Sequence, residues 1–331
     1  MKLARARAHS NIALIKYWGK RPSSVADLNL PAVSSLSMTL SDLRTETAVS
    51  ASSEDRFILD GRELEGSAAA KVFAHLDRIW SIKRTGAPRP RVCVDSTNYL
   101  PTAAGLASSA SGFAALTLAG AAFYELGAGE AELTALARRG SGSAARSLFG
   151  GFVLLSRGER EDGADVTTKQ VHAPDFWDVR LLVVHTARGQ KSTASTGGME
   201  RCRETSPYYP AWVATSEDDI ATARKALAAR DLAALGEVME HSCFKMHACM
   251  LATRPPLVYW NGATLEVIHA LWQARKSGLL GYATSDAGPH VKVLCHATDA
   301  AQLSATLALV PGVHEVQIVA PGPAPTVEVF G

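Results

Sequence analysis

The sequence predicts an α+β fold in two lobes. Three observations point there. The 331 residues suit two packed lobes better than one small domain. The first third carries hairpin-type strand patterns, and the second half is dominated by helical ones. Strands and helices interleave without the regular alternation of a parallel sheet. The lobe boundary is expected between 156 and 184, and the chain is divided at 1–180 and 181–331.

Thr45 to Ser50 alternates polar and apolar residues as a half-buried strand does. Arg56 to Leu59 is a second short strand, and Asp60-Gly61 is a turn signal between strands. From Gly66 to Trp80 the residues Val72, Leu76 and Ile79 share a helix face. Arg91 to Asp95 is a strand. Ser109 to Leu126 is rich in alanine and leucine and stops at Gly127, which predicts a helix. Glu130 to Arg139 is another, and Ser141 or Ser143 is placed to cap a short one after it. Gly151 to Ser156 and Val179 to His185 are strands of the buried type. Ser216, with Asp219 three residues on, resembles a capping box that opens a helix running to about Arg230. Helices follow over Asp231 to Ala248, Gly262 to Ser277 and Asp299 to Leu309. Strands are expected at Gly281 to Thr284, Val291 to His296 and Val313 to Val319.

Composition narrows the function. With 47% hydrophobic and 20% charged residues the chain is an ordinary globular protein, and a net charge of +2 gives no footing for nucleic acid or a membrane surface. No apolar run reaches the roughly 20 residues of a membrane span, and no signal peptide is recognised. Five scattered cysteines, an odd number, fit reduced thiols in the cytoplasm. Cys243 and His247 lie four apart between His241 and Cys249, as metal ligands on one helix face would. The competing reading is a helix with small, half-buried thiols.

Four segments carry chemistry. Pro101 to Gly112, PTAAGLASSASG, lies between a strand and a helix. Small residues there let amides at a helix N-terminus approach an anion, and the loop reads as a grip on phosphate. A turn that merely lets the helix pack tightly has the same composition. The GKS/T ending of a Walker A loop is missing, as is GxGxxG. Arg138 to Arg146, RRGSGSAAR, repeats the logic with guanidinium groups added, whose planar fork suits carboxylate and phosphate. Between Asn11 and Arg21, Lys16 and Lys20 flank Tyr17 and Trp18. Asp286 comes off a strand end into the turn Asp286-Ala-Gly-Pro-His290, where an aspartate either bonds turn amides or serves chemistry. Anion loops, cations and one carboxylate argue for phosphate chemistry, and no GxSxG elbow of a hydrolase is present.

Taken together, NIALIKYWGKR, LNLPAVSSLSMTL, PTAAGLASSASG, RRGSGSAARSLFGGF, STGGM with ETSPYY, and SDAGPHVKV resemble the GHMP kinase superfamily and, within it, the mevalonate diphosphate decarboxylases. They run in that family's order over nearly the whole chain. The resemblance implies a deep cleft between an N-terminal lobe like ribosomal protein S5 domain 2 and a ferredoxin-like C-terminal lobe. It implies that mevalonate 5-diphosphate and ATP, with Mg²⁺, give isopentenyl diphosphate, ADP, phosphate and carbon dioxide. A cytoplasmic, usually homodimeric enzyme is implied as well, and from charge and hydropathy no nucleic-acid or membrane partner is expected. By the same resemblance Asp286 orients the C3 hydroxyl or takes its proton, Lys16 sits beside it, and Arg146 holds the carboxylate. Tyr17, Lys20, Ser141, Ser143, Ser195 and Met199 would line the diphosphate side. Ser96, Asn98, Pro101, Gly105, Leu106, Ala107, Ser108 and Ser109 would hold ATP, with Ser108 near the metal. The chain departs from the family's pattern at His290 and Cys243, where asparagine is usual. A decarboxylase of mevalonate 5-phosphate, a kinase that stops at phosphorylation, and a non-catalytic nucleotide-binding protein are the alternatives.

Overall fold

The computed structural model describes residues 2–23, 27–83, 86–99, 108–188 and 195–331, with the backbone alone for Ser108. Long antiparallel strands β1 (Leu3–Ile15) and β2 (Ser35–Ala51) form the middle of the first sheet. Alternation shapes β1: Ala4, Ala6 and Ala8 are buried, while Arg5 and Arg7 face solvent. Beyond the expected segment Thr45 to Ser50, β2 extends back to Ser35. Strands β3 (Arg56–Leu59) and β4 (Arg62–Glu63) are joined through Asp60 and Gly61, both at positive φ, as a tight hairpin requires. Helix α1 (Gly66–Trp80) matches the expected span, and β5 (Val92–Tyr99) follows, pairing antiparallel with β2 and parallel with β3.

Helix α2 (Ser108–Phe123) is apolar on all sides because it is covered on several. Ala114 and Ala115 lie against Ala8 of the sheet, and Leu116 and Ala119 pack with Val72, Leu76 and Ile79 of α1. Its small residues let it lie close on β1. Helix α3 (Glu130–Gly140) completes this layer, followed by a 3₁₀ turn at Ala144–Leu148. Ser143 precedes that turn without a side-chain capping bond. Strands β6 (Phe152–Leu155) and β7 (Thr168–His172) extend the sheet from β2.

The second sheet opens with β8 (Val179–His185). Helices α4 (Ser195–Thr205), α5 (Tyr209–Ala229), α6 (Leu232–Leu251) and α7 (Gly262–Lys276) come next. Then follow β9 (Gly281–Ser285), β10 (Val291–His296), α8 (Ala300–Ala308) and β11 (Glu315–Val319). The order β11-β8-β10-β9, antiparallel throughout, is that of a ferredoxin-like sheet. Another expectation fails: Ser216 does not open a helix. It lies inside α5 and donates to the Trp212 carbonyl, because Pro210 starts the helix earlier. Asp231 does cap its helix, accepting from the Ala234 amide.

Apolar residues of both lobes merge between the sheets. Ile12, Leu14, Leu36, Met38 and Phe152 form one cluster with Leu181, Val183, Leu235, Met239, Tyr282 and Leu294. The division at 180/181 falls inside β8, and a last strand, β12 (Thr326–Phe330), returns to pair with β1, setting Leu3 opposite Phe330.

Helix α6 approaches β9 closely through Gly236, whose missing Cβ makes room for the Tyr282 ring. Gly236→Ala is therefore expected to destabilise the fold by about 1–3 kcal/mol, despite alanine's better helix propensity. Urea denaturation checks this, and an unchanged midpoint would show that the ring yields freely.

Candidate active site

The candidate site is built around the turn after β9. Ser285 Oγ points at the carbonyls of Gly288 (3.0 Å) and His290 (3.1 Å), and the Gly288 amide donates to the Asp286 carbonyl at 2.7 Å. From outside, the hydroxyls of Thr186 and Thr264 both donate to the Pro289 carbonyl, at 2.7 and 2.6 Å. Asn261 caps α7 and also donates to the Thr186 carbonyl. The turn is thus braced before any ligand arrives.

Asp286 leaves this turn with its side chain 38% exposed. Lys16, just past the end of β1, is 1% exposed and donates to Asp286 Oδ1 at 2.8 Å. Its amide is fixed by the Ser242 hydroxyl of α6 at 3.1 Å. Lys292 of β10, equally buried, lies 3.4 Å from Asp286 Oδ2. Burial pushes the Asp286 carboxyl up, and Lys16 and then Lys292 more than reverse this, holding it well below the usual carboxylate range. A carboxyl depressed by folding contributes stability above its ordinary range, and that contribution is lost as pH falls.

Arg146 is 2% exposed, at the 3₁₀ turn. Its Nε donates to Asn11 Oδ1 at 3.1 Å and its Nη1 to the Ser35 hydroxyl at 2.7 Å. Asn11 in turn donates to the Ser143 carbonyl and the Ser147 hydroxyl. Among the described residues no carboxylate forms a salt bridge with Arg146, and burial lowers its pKa to about 10. Asp286 still acts on it electrostatically. A buried cation held only by neutral groups is costly unless an anion arrives. The Tyr17 ring lies 5.7 Å from the guanidinium carbon, and burial raises its hydroxyl to about 12. Gly142 leaves room for the Tyr17 ring, since a Cβ there would meet the Tyr17 hydroxyl unless the ring shifted.

A chain of hydroxyls links the two anion loops. Ser109 Oγ lies 3.3 Å from Ser141 Oγ, which lies 3.3 Å from Ser143 Oγ. Beside Ser109 is a cavity of about 180 Å³ between β3, β5, α1 and α2, lined by Phe57, Leu59, Val72, Ser96, Asn98 and Phe113 among others. Apolar walls with a few polar groups fit a nucleobase. Ser96 pairs with the Thr47 hydroxyl, and Asn98 accepts from Thr45 and donates to Asp60. Pro101, Gly105, Leu106 and Ala107 lie outside the described residues, as does the Ser108 side chain.

The remaining assigned residues spread around this core. Lys20 is half-buried, with its pKa lowered by burial. Ser195 begins α4, and Met199 is packed with Trp18, Trp212 and Tyr259. The four residues of α6 that suggested a metal do not converge: His241 is exposed, Cys243 and His247 face the Ser285 backbone, and Cys249 faces Cys202 and Ser206. No group of three His, Cys, Asp or Glu that could hold a metal occurs among the described residues. A hard cation such as Mg²⁺ bound through substrate phosphates needs no such cage. Three groups escaped the sequence reading as site residues: Lys292, Asn11 and Ser35. A signal existed for Lys292, a lone charge inside the apolar run Val291 to Cys295.

Comparison with known proteins agrees over both lobes. Residues 8–168 match the diphosphomevalonate decarboxylase-like N-terminal domain, and residues 180–320 match the mevalonate 5-diphosphate decarboxylase C-terminal domain. The human diphosphomevalonate decarboxylase is 38% identical over 86% of this chain and 74% of its own length. That of Aspergillus fumigatus is 35% identical over 93% and 80%. The solved mevalonate diphosphate decarboxylase of Staphylococcus aureus superposes with a TM-score of 0.90 at 32% identity, covering 100% of this chain and 99% of that one. The Enterococcus faecalis enzyme does so with 0.88 at 36%, with the same coverage. A further solved structure, described as a complex with MVAPP, AMPPCP and magnesium, gives 0.89 at 37%, again covering 100% and 99%. Matched over both lobes by the family's two domains and by relatives more than a third identical, this chain belongs to the diphosphomevalonate decarboxylase family.

Proposed function

We propose that the chain converts mevalonate 5-diphosphate to isopentenyl diphosphate in an ATP-dependent reaction that releases ADP, phosphate and carbon dioxide, and that Asp286, Lys16 and Arg146 carry the chemistry. The observation that supports this division of labour most is Arg146. It is a fully buried cation without a carboxylate partner among the described residues, placed where it feels Asp286.

Asp286 meets the C3 hydroxyl of the substrate and orients or accepts its proton as the oxygen bonds to phosphorus. Lys16 keeps Asp286 ionised and offsets the charge on the incoming phosphoryl group. Arg146 holds the C1 carboxylate. Once the C3–O bond breaks and phosphate departs, the electrons of the C1–C2 bond form the C2–C3 double bond and carbon dioxide leaves. Tyr17, Lys20, Ser141, Ser143, Ser195 and Met199 are assigned to the diphosphate side. Ser96, Asn98 and Ser109 are assigned to the nucleotide side, together with Pro101, Gly105, Leu106, Ala107 and Ser108. When bound, ATP with Mg²⁺ supplies the phosphoryl group, and Ser108 is assigned to the metal. We assign the catalytic aspartate to a C-terminal unit, 181–331, and the nucleotide to an N-terminal one, 1–180. The enzyme is further proposed to be a cytoplasmic homodimer that binds neither nucleic acid nor membrane. Five free cysteines support the compartment, and no described helix is long and apolar enough to cross a membrane.

With ATP, Mg²⁺ and mevalonate 5-diphosphate, carbon dioxide and ADP are expected in equal amounts. ADP alone would mean a kinase, preference for mevalonate 5-phosphate would reassign the substrate, and no ATP turnover with either would mean a nucleotide-binding protein. Asp286→Asn should keep substrate affinity and lose about 10³-fold in kcat. Near-normal turnover would remove Asp286 from its role. Arg146→Met should cost about 100-fold or more in kcat/KM. A variant within a few-fold of the parent would show that the carboxylate is held elsewhere.

A further inference from the structure

Lys292 belongs to β10, opposite Thr284 of β9 and Val183 of β8. Its neighbours Val291 and Val293 face the apolar layer beneath α7 and α8. By strand alternation Lys292 shares the other face with Leu294, which packs in the cluster between the lobes. An apolar side chain would satisfy that face at no desolvation cost. Instead an ammonium group stands there, 4% exposed, 3.4 Å from both Asp286 Oδ2 and the His290 carbonyl.

The two lysines divide the carboxylate between them: Lys16 takes Oδ1 and Lys292 takes Oδ2. A carboxylate held by one cation turns about its own axis, whereas two cations on different oxygens fix its plane. Its oxygens offer about four lone-pair sites, so two contacts leave capacity for a substrate hydroxyl on the exposed side. The charges around it are also uneven. Lys16, Lys292 and Arg146 are cations close to a single carboxylate. From α6, Cys243 is a thiol pushed up by burial, and burial lowers His247 to about 3, so neither adds charge near neutrality. A lone aspartate would repel an approaching phosphoryl group, and one flanked by surplus cations does not.

We infer that Lys292 is a positioning residue for the reaction proposed above, fixing the plane of the Asp286 carboxylate and supplying the positive charge that admits an anionic phosphoryl group beside it. The inference rests on that reaction for its kinetic consequence, while the coupling between Lys292 and Asp286 belongs to the free protein. Both are read on the full chain with Lys292→Met and Lys292→Gln. Carbon dioxide release should show kcat lower by about 10–100-fold, with KM for both substrates within about threefold. Separately, the Asp286 carboxyl is followed by ¹³C NMR in ligand-free protein and identified by its loss in Asp286→Asn. Removing a cation raises the carboxyl pKa, so its titration should move up toward the ordinary value of about 4 in both variants. An unchanged titration and unchanged kcat would overturn the inference, as would a loss confined to KM. If the parent released no carbon dioxide, the reaction would fall, while the titration would still decide the coupling. If Lys292→Met unfolds, Lys292→Gln, which keeps a polar group, decides. Loss of the fold in both would assign Lys292 to the architecture and overturn its positioning role.

Discussion

Lys16 and Asp286 are 270 positions apart, and their contact at 2.8 Å exists only where the two sheets close on one another. Much of the architecture serves that closeness. The long β1 carries Lys16 to the interface, and β9 and β10 bring Asp286 and Lys292 from the other side. The apolar cluster shared by both lobes lies beside the two buried lysines, and a water-poor surrounding strengthens their hold on the carboxylate. Isolated, each of these groups would be expensive to bury. Grouped, they leave a net positive site with one oxygen-bearing face open to the cleft.

Cys243 and His290, the two positions expected to differ from the family's pattern, both have local roles. Cys243 takes the Ser285 amide on its sulfur at 3.1 Å and directs its thiol to the Ser285 carbonyl. The backbone just before Asp286 is therefore anchored by sulfur. His290 Nδ1 accepts the Thr186 amide at 3.2 Å, so that nitrogen carries no proton. Both substitutions hold backbone rather than ligand, and neither displaces the lysine-aspartate cluster.

Elements with strong local signals were legible in the sequence. Helix α1 and strands β8 and β10 fall at their expected bounds, because periodicity and flanking turn residues agree there. The first strand was missed: its buried residues are alanines alternating with arginines, which carry little hydrophobic contrast. Ser216 misled because a serine three residues before an acid imitates a cap, while the helix had already begun at Tyr209. At the site, charge-bearing motifs were legible and their supports were not. Asn11 and Ser35 hold Arg146 through contacts spanning 135 and 111 residues, and no local pattern announces a partner at that range.

Strand β12 gives the chain a further property. It seals the outer edge of β1 with residues more than 300 positions away, so the first sheet is finished only by the last segment of the second half. Severing the chain between the lobes would leave β1 as a bare edge and strip one side from the shared apolar cluster. The pairing of β12 with β1 and the shared apolar cluster thus tie the completion of the first sheet to the second half of the chain.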